Sequence, residues 1–110
     1  MSIGVQDPTL YVYEACGLAF AQGPAFQSEF GLGTIQNDTA FATAAWLDIF
    51  NYAPNADQAQ FVTAHVDFYE TMYTASGTYG SDPDYIALLA RGATYGLIIG
   101  IAEEVGIAVL

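Results

Sequence analysis

Asp82-Pro-Asp-Tyr-Ile-Ala-Leu-Leu-Ala-Arg-Gly-Ala-Thr-Tyr-Gly-Leu-Ile-Ile-Gly-Ile-Ala-Glu-Glu104 is the stretch that decides the fold. Aspartate followed by proline opens a helix. The carboxylate accepts amides of the first turn, and proline's missing N–H falls where no partner exists anyway. From Tyr85 to Ala102 the only charge is Arg91. A helix apolar on nearly all sides belongs at the centre of a domain or in a membrane. The length approaches the roughly 20 residues of a bilayer span. Against that, Arg91 sits in the interior, where a charge costs several kcal/mol. The flanks Asp82, Asp84, Glu103 and Glu104 are acidic, where membrane helices carry lysine and arginine. The segment is therefore read as a central core helix over 83–105 of an all-α domain.

Working outward, the same punctuation divides the rest of the chain. Asp7-Pro8 repeats the opening device, and Leu10, Val12/Tyr13, Cys16/Gly17 and Phe20 follow at helical spacing, predicting a helix over 8–22 closed by Gly23-Pro24. Residues 24–30 suit one or two turns before Gly31-Leu-Gly33. Asn37-Asp38-Thr39 caps a helix over 39–52, stopped by Pro54. Asn55-Ala-Asp57 starts another over 56–76, in which Phe61, Ala64/His65, Phe68/Tyr69 and Met72/Tyr73 predict one broad buried face, with Gly77 as the stop. Gly106-Ile-Ala-Val-Leu110 is expected to be frayed or extended. The fold class is thus all-α, a compact bundle of four to five helices forming a single domain over 1–110.

Composition restricts the function. The 110 residues hold twelve carboxylates against one arginine and no lysine, a formal net charge of −11, yet 54% are hydrophobic. Nucleic acid is bound by cations that displace counterions, so it is excluded as a partner, and an anionic membrane surface is disfavoured. Seven Phe, eight Tyr and Trp46 carry more apolar area than so short a chain readily hides, and the surplus points to an interface. Trp46, Phe50, Phe68, Tyr69 and Tyr73 are the aromatics expected to serve packing or assembly.

Three motifs carry the remaining information. Gly92, Gly96 and Gly100 lie four apart on one stripe of the last helix, with Ala93 beside them. Each glycine costs roughly 1 kcal/mol against alanine, so the stripe predicts a close backbone approach, by a helix of the same chain or of a neighbouring subunit. Arg91 needs partners for its guanidinium. Asp48 and Asp67, each inside a helix expected to pack nearby, are the candidates for a buried ion pair, and anchoring a ligand's anion is the alternative. Cys16 cannot form an internal disulfide, and its apolar surroundings predict a small buried side chain.

Chemistry finds little support in these residues. His65, Asp67 and Glu70 read as part of a solvated acidic face rather than a metal site, since His65 lies well around the helix and no second histidine exists. Calcium, which takes several oxygen ligands, finds its best candidates in Asp82 and Asp84, without an EF-hand loop or a nonapeptide repeat around them. No cofactor is expected. The serines Ser2, Ser28, Ser76 and Ser81 lack a nucleophile turn, and no glycine loop with a lysine cradles phosphate. The reading is that the chain is not an enzyme.

The stretch Phe41-Ala-Thr-Ala-Ala-Trp-Leu-Asp-Ile-Phe-Asn-Tyr-Ala-Pro-Asn-Ala-Asp57 resembles a turn of the form Phe-Gly-x-x-Pro-x-Ala in helical modules of bacterial S-layer and RTX-type secreted calcium-binding proteins. The helix Phe61 to Gly77 and the segment Ala90-Arg-Gly-Ala-Thr-Tyr-Gly96 are similar to that group, so the resemblance covers about residues 41–102. Asn51 stands where glycine is commoner, and no RTX repeat region is present. The resemblance implies a secreted or surface-associated module and carries over no catalytic residue. The first residues, Met1-Ser-Ile-Gly-Val-Gln-Asp, show no basic start of a signal peptide. The expected location is secreted or cell-surface without such a signal, with the cytoplasm as alternative. The expected function is a self-associating structural module whose partner is itself, in a layer or filament. The alternative is a small apolar-ligand binding module with Arg91 as anion anchor.

Overall fold

The computed structural model of the protein describes residues 8–104, with side chains from Ala15 to Glu103. All regular structure among them is helical: α1 (Pro8–Ala21), α2 (Pro24–Phe30), α3 (Asp38–Phe50), α4 (Ala56–Ser76) and α5 (Pro83–Glu104). The bounds fall within two residues of those read from the sequence. The expected cap Asp7 and the closing residues 105–110 lie outside the described residues.

Local chemistry sets each start and stop. Asn37 accepts the Ala40 amide at 2.8 Å to open α3. Asn55 and Gln58 form a reciprocal capping box at the start of α4, with bonds of 2.8 and 2.9 Å. Asp82 Oδ1 accepts the Asp84 amide at 3.0 Å at the start of α5. Helix α3 ends before Pro54, because Asn51 turns into the left-handed region at φ 66° and its amide closes on the Leu47 carbonyl. Glycine or asparagine is favoured in such a position. This is the slot of the Phe-x-x-x-Pro turn where glycine was expected more often than asparagine.

Helix α5 is the axis, touched by α1, α4, α3 and α2, with α1 and α4 lying most extensively against it. Its window Pro83–Glu103 is long and apolar enough to cross a membrane, but 72% of that window is buried inside the fold. Arg91, Thr94, Leu97 and Ile98 are all essentially inaccessible. Helices α1 and α5 meet at glycine: a Cβ built on Gly17 would stand 2.1 Å from the Gly92 carbonyl oxygen and 2.9 Å from the Gly96 amide nitrogen. The partner of this part of the glycine stripe is thus a helix of the same chain.

Two expected phases are corrected. Among the described side chains of α1 the buried positions are Gly17 and Ala21, while Cys16 is exposed and Phe20 is 46% exposed; Leu10, Val12 and Tyr13 lie outside them. The close approach to α5 selects the smallest side chains for the contact, which turns Cys16 away. In α4 the buried stripe is Val62, Val66, Tyr69 and Tyr73. Phe61, His65 and Met72 are half-buried, and Phe68 is 42% exposed. The two stripes lie side by side on one helix with the same period, so spacing alone does not choose between them.

Candidate functional site

Arg91 enters the core from α5 and its guanidinium faces the α2–α3 connection. Nη1 donates to the carbonyl oxygens of Phe30 at 3.0 Å and Ile35 at 2.6 Å, and Nη2 reaches Asp38 Oδ1 at 3.4 Å. The guanidinium carbon lies 5.4 Å from the centre of the Phe41 ring. Phe30 ends α2, where carbonyls lack amide partners, and Asp38 opens α3. Arg91 therefore ties the connection to the core through Nη1 and Nη2, while its buried Nε finds no hydrogen-bond partner among the described residues.

Asp48 and Asp67 are not its ion-pair partners. Asp48 lies at the other end of α3 and accepts the Tyr95 hydroxyl at 2.5 Å. Burial, then the bond to Asp48 and the charges of Asp48 and Glu29, push the Tyr95 hydroxyl pKa upward, well beyond its ordinary value. Asp67 belongs to a surface group: one ligand oxygen each from Asp38, Asp67 and Glu70 lies within 4.8 Å of the others. Glu70 titrates above the ordinary value of 4.5, chiefly through burial and then repulsion from Asp38 and Asp67, opposed by Arg91.

Three convergent carboxylates are hard oxygen donors of the kind that suit calcium or magnesium, and the Arg91 charge beside Asp38 offsets part of their field. The sequence reading found Asp67 and Glu70 but took Asp38 only as a cap residue. His65 is not in the group; its Nδ1 lies 2.7 Å from the Phe61 carbonyl oxygen. The calcium candidates Asp82 and Asp84 are exposed, and Asp82 is engaged in capping α5.

The expected assembly aromatics separate into two sets. Trp46, Tyr69 and Tyr73 are buried in the chain's own core. Phe50, stacked on Trp46 at 4.3 Å, is half-buried, and Phe68 is exposed. Phe68 belongs to a row that the sequence reading had placed inside. Phe61, His65, Phe68 and Met72 follow spacings of four, three and four along α4. The Phe61 and His65 rings lie 4.3 Å apart and the His65 and Phe68 rings 6.5 Å apart. On the flank away from the core the row is bordered by Ala64, Thr71 and Ala75, all exposed and uncharged.

A second accessible feature lies between α2 and α3. It is a shallow cleft lined by Glu29, Phe30, Ala44, Leu47, Asp48 and Asn51. Leu47 is 47% exposed at its rim, and the Tyr95–Asp48 bond borders it.

Comparison of the chain with protein-family models, with curated proteins and with solved structures finds no match.

Proposed function

We propose that the protein is a non-catalytic, self-associating module, joined to copies of itself through the outer row of α4. The carrying observation is the uncharged strip Phe61, His65, Phe68 and Met72 on a chain of net charge −11. Spacings of four, three and four form the seam by which two helices interlock side chains. Placed on a symmetry axis, the same strip of two copies is self-complementary. In so acidic a chain, a stretch of helix face whose one carboxylate in line, Asp57, stands at its N-terminal end is where copies approach with least repulsion. The turn at Phe50 to Ala56, with its left-handed Asn51, supports a setting in a secreted or cell-surface layer or filament, because it resembles the turn of modules from such proteins.

Light scattering across protein concentration tests this reading, comparing the chain with Phe68→Ser. Phe68 is exposed, so the variant should keep its helical spectrum. Association that depends on concentration and weakens in the variant supports the proposal. A wild-type chain that stays monomeric at high concentration removes it.

A further inference from the structure

The α2–α3 cleft combines an apolar floor with a one-sided charge. Phe30 and Ala44 line it, Leu47 stands half out of it, and the carboxylates of Glu29 and Asp48 are both exposed beside them. It also borders the last turn of α3, which has no basic residue, so the partial negative charge of that helix end is unopposed by a local cation. Tyr95 donates to Asp48 Oδ2 and so holds that carboxylate in place at the cleft. Phe20, 46% exposed, lies against the other side of Tyr95 with ring centres 5.9 Å apart.

Nothing in this chain matches that chemistry. Its one arginine is Arg91, 1% exposed and already bonded, and there is no lysine. Apart from His65, half-buried on α4 with its Nδ1 against the Phe61 carbonyl, neither another segment of the chain nor a second copy has a basic side chain to bring to Glu29 and Asp48.

We propose that the α2–α3 cleft is a docking site for a cationic amphipathic segment of a different protein. An apolar side chain of that segment rests on Leu47 and Phe30, and a lysine or arginine one or two positions away pairs with Asp48 and Glu29. The cleft lies on α2 and α3, away from the α4 strip, so this proposal stands or falls independently of self-association.

The test is fluorescence anisotropy at low salt and neutral pH, with the full chain dilute enough to be monomeric. The probe is a short dye-labelled peptide of alternating leucine and lysine. Two control peptides replace its lysines by glutamate or its leucines by serine. The parent peptide should bind and both controls should fail, because the cleft needs charge and apolar contact together. Glu29→Gln with Asp48→Asn should weaken binding about tenfold, as expected for two exposed ion pairs. Leu47→Ser should weaken it as well, with the helical spectrum unchanged. Asp57→Asn with Glu103→Gln removes the same charge from exposed sites on α4 and α5 and should leave the affinity nearly unchanged. Equal weakening by the two double variants would mean that net charge alone attracts the peptide, and the docking site would be lost. Excess chain carrying Phe68→Ser adds intact clefts and should only raise the peptide anisotropy; a fall instead would mean that copies occupy one another's clefts and would also overturn the proposal.

Discussion

Gly17 of α1 and Gly92 of α5 pack backbone against backbone. A Cβ added at Gly92 would stand 2.3 Å from the Ala21 Cβ and 2.6 Å from the Gly17 carbonyl oxygen, and one added at Gly17 would meet the Gly92 carbonyl at 2.1 Å. These atoms belong to backbone or to a one-carbon side chain, so neither helix can yield by a rotamer change. Gly17→Ala or Gly92→Ala should therefore lower unfolding stability by about 1–3 kcal/mol, the usual range for overpacking. On an exposed helix face the same change would stabilise by roughly 1 kcal/mol. Urea denaturation separates the two signs. Gly96→Leu should also destabilise, since the Gly96 amide forms part of the Gly17 contact.

Arg91 carries the second prediction. Replacing it with methionine keeps much of its length but leaves the Phe30 and Ile35 carbonyls and the Asp38 carboxylate without their donor. Removing one partner of a buried pair costs about 3–5 kcal/mol, and the partial exposure of Asp38 places this case at about 2–3 kcal/mol. Amide exchange should rise first in residues 31–37, the connection that Arg91 holds. Asp48→Asn and Asp67→Asn should not reproduce that local loosening.

The caps and breakers made the helices legible in the sequence, because Asn37, Asn55, Gly77 and the prolines act locally; the reciprocal bond from Gln58 to the Asn55 amide emerged only in the structure. The central place of α5 was legible as well, since a helix with one charge along most of its length has few other places to go. What was not legible depended on phase and on distance through space. Cys16 against Gly17, and Phe61/His65/Phe68 against Val62/Val66/Tyr69, differ by one residue in phase, a rotation of about 100° of one helix. That rotation is set by the helix packed against it. The partners of Arg91 were misread for a related reason: two of its three acceptors are backbone carbonyls of the α2–α3 connection, which carry no sequence signal. The glycines at 31 and 33 marked a loop there, without marking which oxygens the loop would turn inward.

Glu70 supplies a pH signature. Its folded pKa lies above the ordinary value, through burial and then the neighbouring Asp38 and Asp67. For a carboxylate raised in this way, the protonated form favours folding. That contribution is present below the unfolded pKa and is lost as pH rises through the folded value. At neutral pH the ionised Glu70 works against the fold, and Glu70→Gln should raise stability by about 0.2–0.5 kcal/mol, the scale of one like-charge pair on a helix. The gain should shrink as pH falls through the raised folded value and vanish below about 4.5, where Glu70 is protonated in both states. A variant no more stable than wild type at neutral pH would dissolve the three-carboxylate cluster as an electrostatic unit.

Tyr95 gives an alkaline counterpart. The residue is buried and its hydroxyl is bonded to Asp48, and both raise its pKa. In a spectrophotometric titration its phenolate band should appear well above the ordinary tyrosine value of about 10. Folding stability supported by this proton is complete below about pH 10 and declines as pH rises toward the folded pKa. Tyr95→Phe keeps the ring contacts with Phe20, Phe26 and Phe30 and removes only the bond. It should cost about 1 kcal/mol and abolish the late-titrating signal.

Charge governs the conditions under which copies should associate. With a formal charge of −11, two chains repel each other at neutral pH, and burial of the α4 strip must overcome that repulsion. Added sodium chloride should promote association by screening, over about 8–10 Å at physiological ionic strength. Lowering the pH toward the isoelectric point near 4.1 should act in the same direction, by reducing the net negative charge of each copy. Calcium at equal ionic strength separates general screening from specific bridging. If sodium chloride alone brings the chain to its full size, screening is sufficient. A requirement for calcium would point to carboxylate bridges, with the Asp38–Asp67–Glu70 group and the Asp82–Asp84 pair as the places to neutralise next. Sedimentation in chelator, in sodium chloride and in calcium distinguishes these cases, and Phe68→Ser should sediment more slowly wherever the wild type associates. A chain that remains monomeric in all three at high concentration would show that the α4 strip does not join copies of this protein.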